Sequence, residues 1–166
     1  MLNTRNYLFC DELKHMSLDA LYSGDLNVLE DLKYNLEAII TTEAPITLNT
    51  LKQRLREAFE IKKISQKALD IINAQINLMG FPITDNLYDI VLWPLEGQFV
   101  PSVLRINSNR QIYDIPHQEL ILLAKSLNLK GEELYRAILE YFGYEVLTEK
   151  ARVYLEYVEG FLKWKD

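Results

Sequence analysis

A helix-turn-helix pattern occurs twice in this chain, and the two copies are offset by 83 residues. Five of the 22 positions from Leu51 to Ile72 carry the same residue in the second copy: Leu51/Leu134, Glu57/Glu140, Phe59/Phe142, Lys67/Lys150 and Ala68/Ala151. Apolar residues recur at further matched positions, among them Leu55/Ile138, Ile64/Leu147 and Ile72/Leu155. A repeated unit that is mistaken for one domain gives the wrong fold, so the repeat constrains the architecture most strongly.

Length and composition limit the class of protein. A chain of 166 residues with 49% hydrophobic residues can form one ordinary domain or two small ones with a real core. No apolar run approaches the roughly 18 residues of a membrane span, and no secretory signal precedes the first helix. The single cysteine, Cys10, excludes an internal disulfide and a cysteine-based zinc site. We therefore expect a cytoplasmic protein without a membrane partner.

The first copy has the element order of a winged helix. Helical spacing of apolar residues predicts three helices, at about 26–41, 48–59 and 66–79. Ser65 is the expected N-cap of the third helix and Gly80 its expected end. A one-rung strand at 46–47 and a hairpin over 81–94 complete the order, with Trp93 expected at the base of the hairpin.

The predicted fold class is mainly α with small β, formed by tandem winged-helix (helix-turn-helix) units, of which the second has a reduced wing. The second copy is expected to place helices from Pro116 to 127, from 131 to 142 and from the Thr148 cap to 160. A strand is expected to start at 161–164. The predicted divisions are a helical N-terminal extension at 1–24, the first unit at 25–96, a connector at 97–115 and the second unit at 116–166.

Charge is distributed unevenly along the chain. The formal net charge is −6, whereas proteins that bind DNA non-specifically are usually basic. Residues 51–67 are the exception, because they contain six basic and two acidic residues. The basic residues of this first helix-turn-helix are Lys52, Arg54, Arg56, Lys62, Lys63 and Lys67.

This basic island predicts a duplex-DNA surface. Phosphate contacts are expected around a recognition helix that lies in the major groove. The expected contacts to the duplex are Lys62, Lys63, Ser65, Gln66 and Lys67, with Asn73 further along the helix and Lys52, Arg54 and Arg56 on phosphates. Asp70 on the same face would sit poorly near phosphate. The alternative is a solvated helix face that is balanced by the acidic N-terminal segment, and a winged-helix shape alone serves protein contact nearly as often.

The second copy carries a mixed surface with an exposed apolar residue, which is more typical of a protein interface. Its candidate contact residues are Val153 and Tyr157. The runner-up function is therefore a protein-interaction or scaffold module that uses this copy and the acidic N-terminal helices. A weaker alternative is a transcription regulator that binds an operator as a dimer.

No pattern in the sequence predicts catalysis. The Glu-x-Lys triplets Glu12-Leu13-Lys14 and Glu60-Ile61-Lys62 lie on or between predicted helices rather than on a strand. His15 and His117 have no visible carboxylate partner, and there is neither a G-x-S-x-G nor a G-x-x-x-x-G-K-[ST] sequence. We expect no enzyme, no metal site and no cofactor.

Residues 40–166 resemble an uncharacterised helical domain near the C-terminus of large bacterial superfamily-one helicase-like proteins. The segments that match its outline are Ala44-Pro45-Ile46, Leu51 to Phe59, Leu92-Trp93-Pro94, Ile115-Pro116 and Tyr141-Phe142-Gly143-Tyr144. The resemblance implies an accessory role beside a helicase or another protein. The basic, glycine-containing turn of that domain is replaced here by Lys62-Lys63-Ile64-Ser65 in the first copy and by Glu145-Val146-Leu147-Thr148 in the second. A fragment of such a protein and a small stand-alone relative both fit this outline.

Overall fold

The computed structural model describes residues 1–97 and 100–162, which form a mainly α-helical structure with a small β component. The helices are α1 (Leu18–Tyr22), α2 (Leu26–Glu43), α3 (Leu48–Phe59), α4 (Gln66–Met79), α5 (His117–Leu127), α6 (Gly131–Tyr141) and α7 (Glu149–Glu159). The strands are β1 (Thr4–Asn6), β2 (Ile46–Thr47), β3 (Ile83–Asp85), β4 (Ile90–Leu92) and β5 (Leu104–Ile106), and a 3-10 turn spans Ile112–Asp114. This agrees with the predicted class of mainly α with small β.

The chain divides into two compact units. The N-terminal unit comprises Leu8–Thr84 and Val91–Gly97, and the C-terminal unit comprises Met1–Tyr7, Asp85–Ile90 and Gln98–Asp166. Each unit has its own apolar core. The predicted divisions at 24/25, 96/97 and 115/116 therefore differ from the compact units, because segments distant in sequence complete the C-terminal unit.

The core of the N-terminal unit lies between α2, α3 and α4. Leu36, Leu51 and Ile72 are fully buried there, one from each helix. A small sheet with the order β2-β4-β3 belongs to the same part of the chain, and Ile46 pairs with Leu92 in antiparallel register. The short strand and the hairpin lie where the sequence pattern predicted them.

Local capping explains where these helices begin and end. The Ser65 hydroxyl accepts a hydrogen bond from the Ala68 backbone N–H, at 3.1 Å, which satisfies a donor that the first turn of α4 leaves free. Gly80 ends α4 with φ of 73°, a left-handed conformation that glycine adopts without steric cost. Both assignments were predicted from the sequence.

The core of the C-terminal unit lies among α5, α6 and α7. Leu120, Ile138 and Leu155 are fully buried, and Leu104 and Ile115 join them from the segment between the two helical copies. Residues 97–115 were expected to be a connector. The described part of this segment contributes β5 and core side chains, so it is an integral part of the C-terminal unit.

The prediction of a helical N-terminal extension at 1–24 was wrong for most of that range. Thr4–Asn6 form β1, which pairs in parallel with β5, and only Leu18–Tyr22 are helical. The residues between them are held by side chains of α2, because Glu43 accepts from the Cys10 backbone N–H and Asn35 accepts from that of Lys14. These long-range bonds outweigh the local helical spacing.

Two further expectations concern the ends of elements. The turn of the hairpin predicted over 81–94 spans residues 86–89, between Asp85 at the end of β3 and Ile90 at the start of β4. The strand that was expected to start at 161–164 lies partly outside the described residues, and Phe161 and Leu162 are not in a strand. Among the described residues, no helix is both long enough and apolar enough to cross a membrane.

Candidate nucleic-acid interface

The candidate surface is formed by α3, the turn at residues 60–65 and the beginning of α4. Glu60 ends α3 in a left-handed conformation, with φ of 56°, and its backbone N–H bonds to carbonyl oxygens of α3. Ser65 then begins α4. This geometry places Lys62 and Lys63 in the turn and Lys67 in the first turn of the second helix.

These three lysines are exposed, and none has an ion-pair partner within the described parts of the chain. The Lys67 ammonium lies 4.7 Å from the centroid of the Tyr22 ring, which is a weak cation–π contact at an exposed position. Lys52 and Arg56 are half-buried on α3 and also lack an ion-pair partner among the described residues. Within the described residues, five of the six basic residues predicted for the surface thus make no ion pair.

Arg54 is the exception, because its side chain is not on the exposed face that a phosphate contact requires. Its side chain is 12% exposed, and its Nε donates to the carboxylate of the fully buried Glu43 at 3.0 Å. Its guanidinium also bonds to Glu57 and to the carbonyl oxygen of Cys10. Leaving Glu43 unpaired would cost several kcal/mol, so Arg54 belongs to the core of the unit rather than to a phosphate-binding surface.

Some polar residues at the start of α4 already make hydrogen bonds within the N-terminal unit. Besides capping α4, the Ser65 hydroxyl bonds to the hydroxyl of Tyr22. The Gln66 side-chain amide donates to Asp70 at 2.8 Å on the exposed face. Asn73 is half-buried. The cationic part of the predicted surface is therefore more accessible than its hydrogen-bonding part.

The predicted contact residues of the second copy lie in the C-terminal unit, and both are half-buried. The Tyr157 ring packs edge-on against His117 and Phe161, with centroid distances of 5.1 and 4.9 Å. Burial raises the pKa of the Tyr157 hydroxyl, and the nearby Asp85 carboxylate raises it further. Val153 contributes less exposed apolar surface than the sequence pattern suggested.

Asn86 was not anticipated as a structural residue. It is fully buried, and its side-chain oxygen accepts from the backbone N–H of His117 at 3.0 Å and from the Tyr154 hydroxyl at 3.2 Å. Its distance to the His117 Nδ1 is 2.7 Å, and an amide oxygen can only accept, so Nδ1 carries the proton. Burial lowers the pKa of His117 to about 4, so this histidine is neutral at pH 7.

A buried charge cluster in the C-terminal unit was also missed. Glu119 is fully buried and binds the guanidinium groups of Arg105 and Arg110, at 2.8 and 3.0 Å. Both guanidinium groups lie 4.8 Å from the centroid of the buried Tyr7 ring. Burial alone would raise the pKa of Glu119, but the charges and hydrogen bonds of the two arginines lower it to about 2.

Neither cluster has the composition of a metal centre. Within the ranges that the structure describes, no group of three or more His, Cys, Asp or Glu side chains could hold a metal ion. Cys10 is buried in the N-terminal unit, as a small apolar side chain would be. The candidate surface on α3 and α4 therefore carries the functional argument.

Comparisons with known proteins give no match. No protein-family model matches this chain. Neither the curated proteins nor the solved structures contain a match.

Proposed function

We propose that this chain is a non-catalytic accessory module that binds duplex DNA through the helix-turn-helix of α3 and α4. Its two units would both be winged-helix-like, with β3 and β4 as the wing of the first. Support comes from the order α2-β2-α3-α4-β3-β4, from the sheet order β2-β4-β3 and from the repeated three-helix pattern at α5, α6 and α7. An association with helicase-type DNA processing is supported by the resemblance of residues 40–166.

The observation that carries the proposal is the group of unpaired cations at the start of α4. Lys62, Lys63 and Lys67 are exposed and free of ion pairs within the described residues. The N-terminus of a helix also bears a partial positive charge, which favours phosphate at the same place. Lys52 and Arg56 would add phosphate contacts from α3. Arg54 would not contact DNA, but its ion pair with Glu43 would hold α3 against α2.

Net charge opposes this function and sets its expected strength. The chain carries a formal charge of −6, and Glu57, Glu60 and Asp70 are exposed near the lysines. We therefore expect micromolar binding at low salt, with few phosphates neutralised. A dimeric regulator would instead prefer one sequence over random DNA by on the order of 10³-fold or more.

The proposal can be tested by fluorescence anisotropy with labelled random-sequence duplex and single-stranded DNA at low and moderate salt. The test variant is Lys62→Glu with Lys63→Glu. The matched control, Arg5→Glu with Lys125→Glu, changes the net charge equally at exposed positions of the C-terminal unit. We expect the test variant to lose duplex binding and the control to keep affinity within about threefold of wild type.

Two results would contradict the proposal. One is the absence of duplex binding by the wild-type chain at low salt. The other is an equal loss of affinity in both charge-reversed variants, which would indicate a general charge effect rather than a defined surface. A salt-insensitive association with a protein would instead favour the interaction-module alternative.

A further inference from the structure

A pocket of about 490 Å³ opens on the C-terminal unit. Residues Asn107–Arg110, which follow β5, line one part of it, and Tyr141, Phe142 and Tyr144 line another. Its volume lies within the range of known small-ligand sites. Tyr144 also lines a second pocket of about 320 Å³, which is bordered by Glu140 and Glu145. The two pockets thus share Tyr144, and the second pocket is also lined by Arg136.

The aromatic lining is accessible and held in place. Tyr141 is 43% exposed, and its ring packs edge-on against Phe142 with a centroid distance of 5.2 Å. The Tyr144 hydroxyl donates to the carbonyl oxygen of Arg110 at 2.6 Å. Aromatic faces attract cations through the negative potential above the ring. The lining is therefore suited to a positively charged group.

The charge distribution favours the same type of ligand. Arg110 lines the larger pocket, but its side chain is only 4% exposed and is paired with Glu119. Burial raises the pKa of the Tyr144 hydroxyl, Tyr113 and Asp114 raise it further, and Arg110 lowers it. The accessible charges of the second pocket are the carboxylates of Glu140 and Glu145, which are exposed and have no ion-pair partner in the described segments, and the guanidinium group of Arg136, which is paired with Glu132 at 2.9 Å.

Asn107, an exposed residue, is also among the lining residues of the larger pocket. Asn107 has φ of 59°, and its side-chain Nδ2 donates to Asn6 at 2.8 Å. The Asn107 Oδ1 then has no partner among the residues that the structure describes. A guanidinium group offers five N–H donors and a flat face, so it can bond to such an oxygen while it stacks on an aromatic ring.

We propose that this pocket binds the cationic side chain of an arginine or lysine in a basic peptide segment of a partner protein. The aromatic rings would contact the cation, and Glu140 and Glu145 would pair with it or with a neighbouring basic residue. Charge complementarity selects this partner over a nucleic acid strand, whose phosphates would be repelled by the two carboxylates. The site lies on the C-terminal unit and is independent of the DNA proposal, which concerns α3 and α4.

The test measures binding of a fluorescein-labelled nonapeptide with three arginines separated by glycine and serine. A second peptide carries citrulline at the same positions, which removes the charge and keeps the shape. With the full chain at moderate salt, we expect the arginine peptide to bind at least about tenfold more tightly than the citrulline peptide. Amide NMR shifts should change mainly in 107–110 and 140–145.

Variants localise the effect. Glu140→Gln with Glu145→Gln should weaken binding by about tenfold, and Tyr141→Ala by about fivefold, whereas Tyr141→Phe should retain it. Glu133→Gln with Glu149→Gln removes the same charge from other exposed positions and should change the affinity by less than about twofold. Lys62→Glu with Lys63→Glu should bind the peptide as wild type does, so a failure of the DNA proposal remains distinguishable.

Three outcomes would overturn the proposal. The first is equal binding of the arginine and citrulline peptides, and the second is equal weakening by the two glutamine pairs. The third is binding of single-stranded oligodeoxythymidine that is lost in Tyr141→Ala, since this would assign the rings to base stacking. Circular dichroism of each variant excludes unfolding as the cause of a lost signal.

Discussion

At the scale of single residues, Glu119 is the centre of the buried charge cluster of the C-terminal unit. It is fully buried and pairs with both Arg105 and Arg110. Its oxygen also accepts from the backbone N–H of Arg105 at 3.1 Å, which connects α5 to β5. Removal of its charge would take away the carboxylate that pairs with two buried guanidinium groups. This should destabilise the fold more than replacement of the whole cluster by apolar residues would.

We expect Glu119→Gln to lower the free energy of unfolding at pH 7 by about 3 kcal/mol, because it breaks a buried ion pair but keeps the shape of the side chain. The measurement is urea unfolding followed by circular dichroism. Glu133→Gln, an exposed change on α6, is the control and should cost less than about 0.5 kcal/mol. A loss below about 1 kcal/mol for Glu119→Gln would contradict the central role of this carboxylate.

The same variant should show a defined dependence on pH. The pKa of Glu119 is about 2 in the folded chain and near its ordinary value of about 4.3 in the unfolded chain. The unfolded state therefore binds a proton first as pH falls, and the contribution of Glu119 is fully present above about pH 4.5 and is lost towards pH 2. The stability difference between wild type and Glu119→Gln should shrink across this range, and a constant difference would contradict the assignment.

At the scale of elements, the two helix-turn-helix copies use the same cap at matched positions. Ser65 caps α4, and Thr148 caps α7 by accepting from the Ala151 backbone N–H at 3.2 Å. The two caps differ in one respect, since the Ser65 hydroxyl also bonds to Tyr22. The copies therefore offer a matched pair for separating a capping role from a DNA-binding role.

We expect Thr148→Ala to cost about 1 kcal/mol of stability and Ser65→Ala to cost somewhat more, because it loses the cap and the bond to Tyr22. Tyr22→Phe should account for the difference, and thermal or urea unfolding measures all three. Duplex affinity of folded Ser65→Ala should stay within about threefold of wild type, since its hydroxyl is already committed. A tenfold loss of duplex affinity in a folded Ser65→Ala protein would indicate that the Ser65 hydroxyl contacts DNA directly.

Helix positions could be predicted from the sequence because their causes are local. Apolar spacing, the Ser65 and Thr148 caps and the glycine after α4 lie within a few residues of the helices that they define. By contrast, β1 depends on a partner strand about 100 residues away, as Thr4 pairs with Leu104. The local spacing of apolar residues gives no information about a pairing between strands so far apart in sequence. The N-terminal segment was therefore predicted to be helical.

The candidate site was predictable in part for the same reason. The spacing of apolar residues in α3 and α4 predicts the turn between the two helices. Lys62 and Lys63 lie in that turn, Lys67 lies in the first turn of α4, and all three are exposed. Arg54 differs because it lies on the i+3 and i+4 row with Leu51 and Ala58, next to the buried Glu43. This helical spacing was the sequence signal that could have predicted the burial of Arg54. No sequence pattern predicted that Asn86 and Glu119 are buried hydrogen-bond partners.

At the scale of the whole molecule, the two units differ in how continuous their chain is. The buried core of the N-terminal unit lies entirely within residues 8–97. The C-terminal unit also uses Met1–Tyr7 and Asp85–Ile90. These short segments supply β1, the buried Tyr7 ring beside the two arginines, and Asn86, which accepts the hydrogen bonds of His117 and Tyr154.

We therefore expect a fragment of residues 8–97 to retain cooperative unfolding, and a fragment of residues 98–166 to lack it. The second fragment would leave the buried N–H groups of His117 without their acceptor, Asn86, and β5 without its partner strand. Each unsatisfied buried group costs about 1–3 kcal/mol. Urea unfolding followed by circular dichroism, together with the dispersion of amide NMR signals, would distinguish the fragments. Asn86→Ala in the full chain is the matched variant and should destabilise the C-terminal unit alone. Cooperative unfolding of fragment 98–166 at the midpoint of the full chain would show that the distant segments are dispensable.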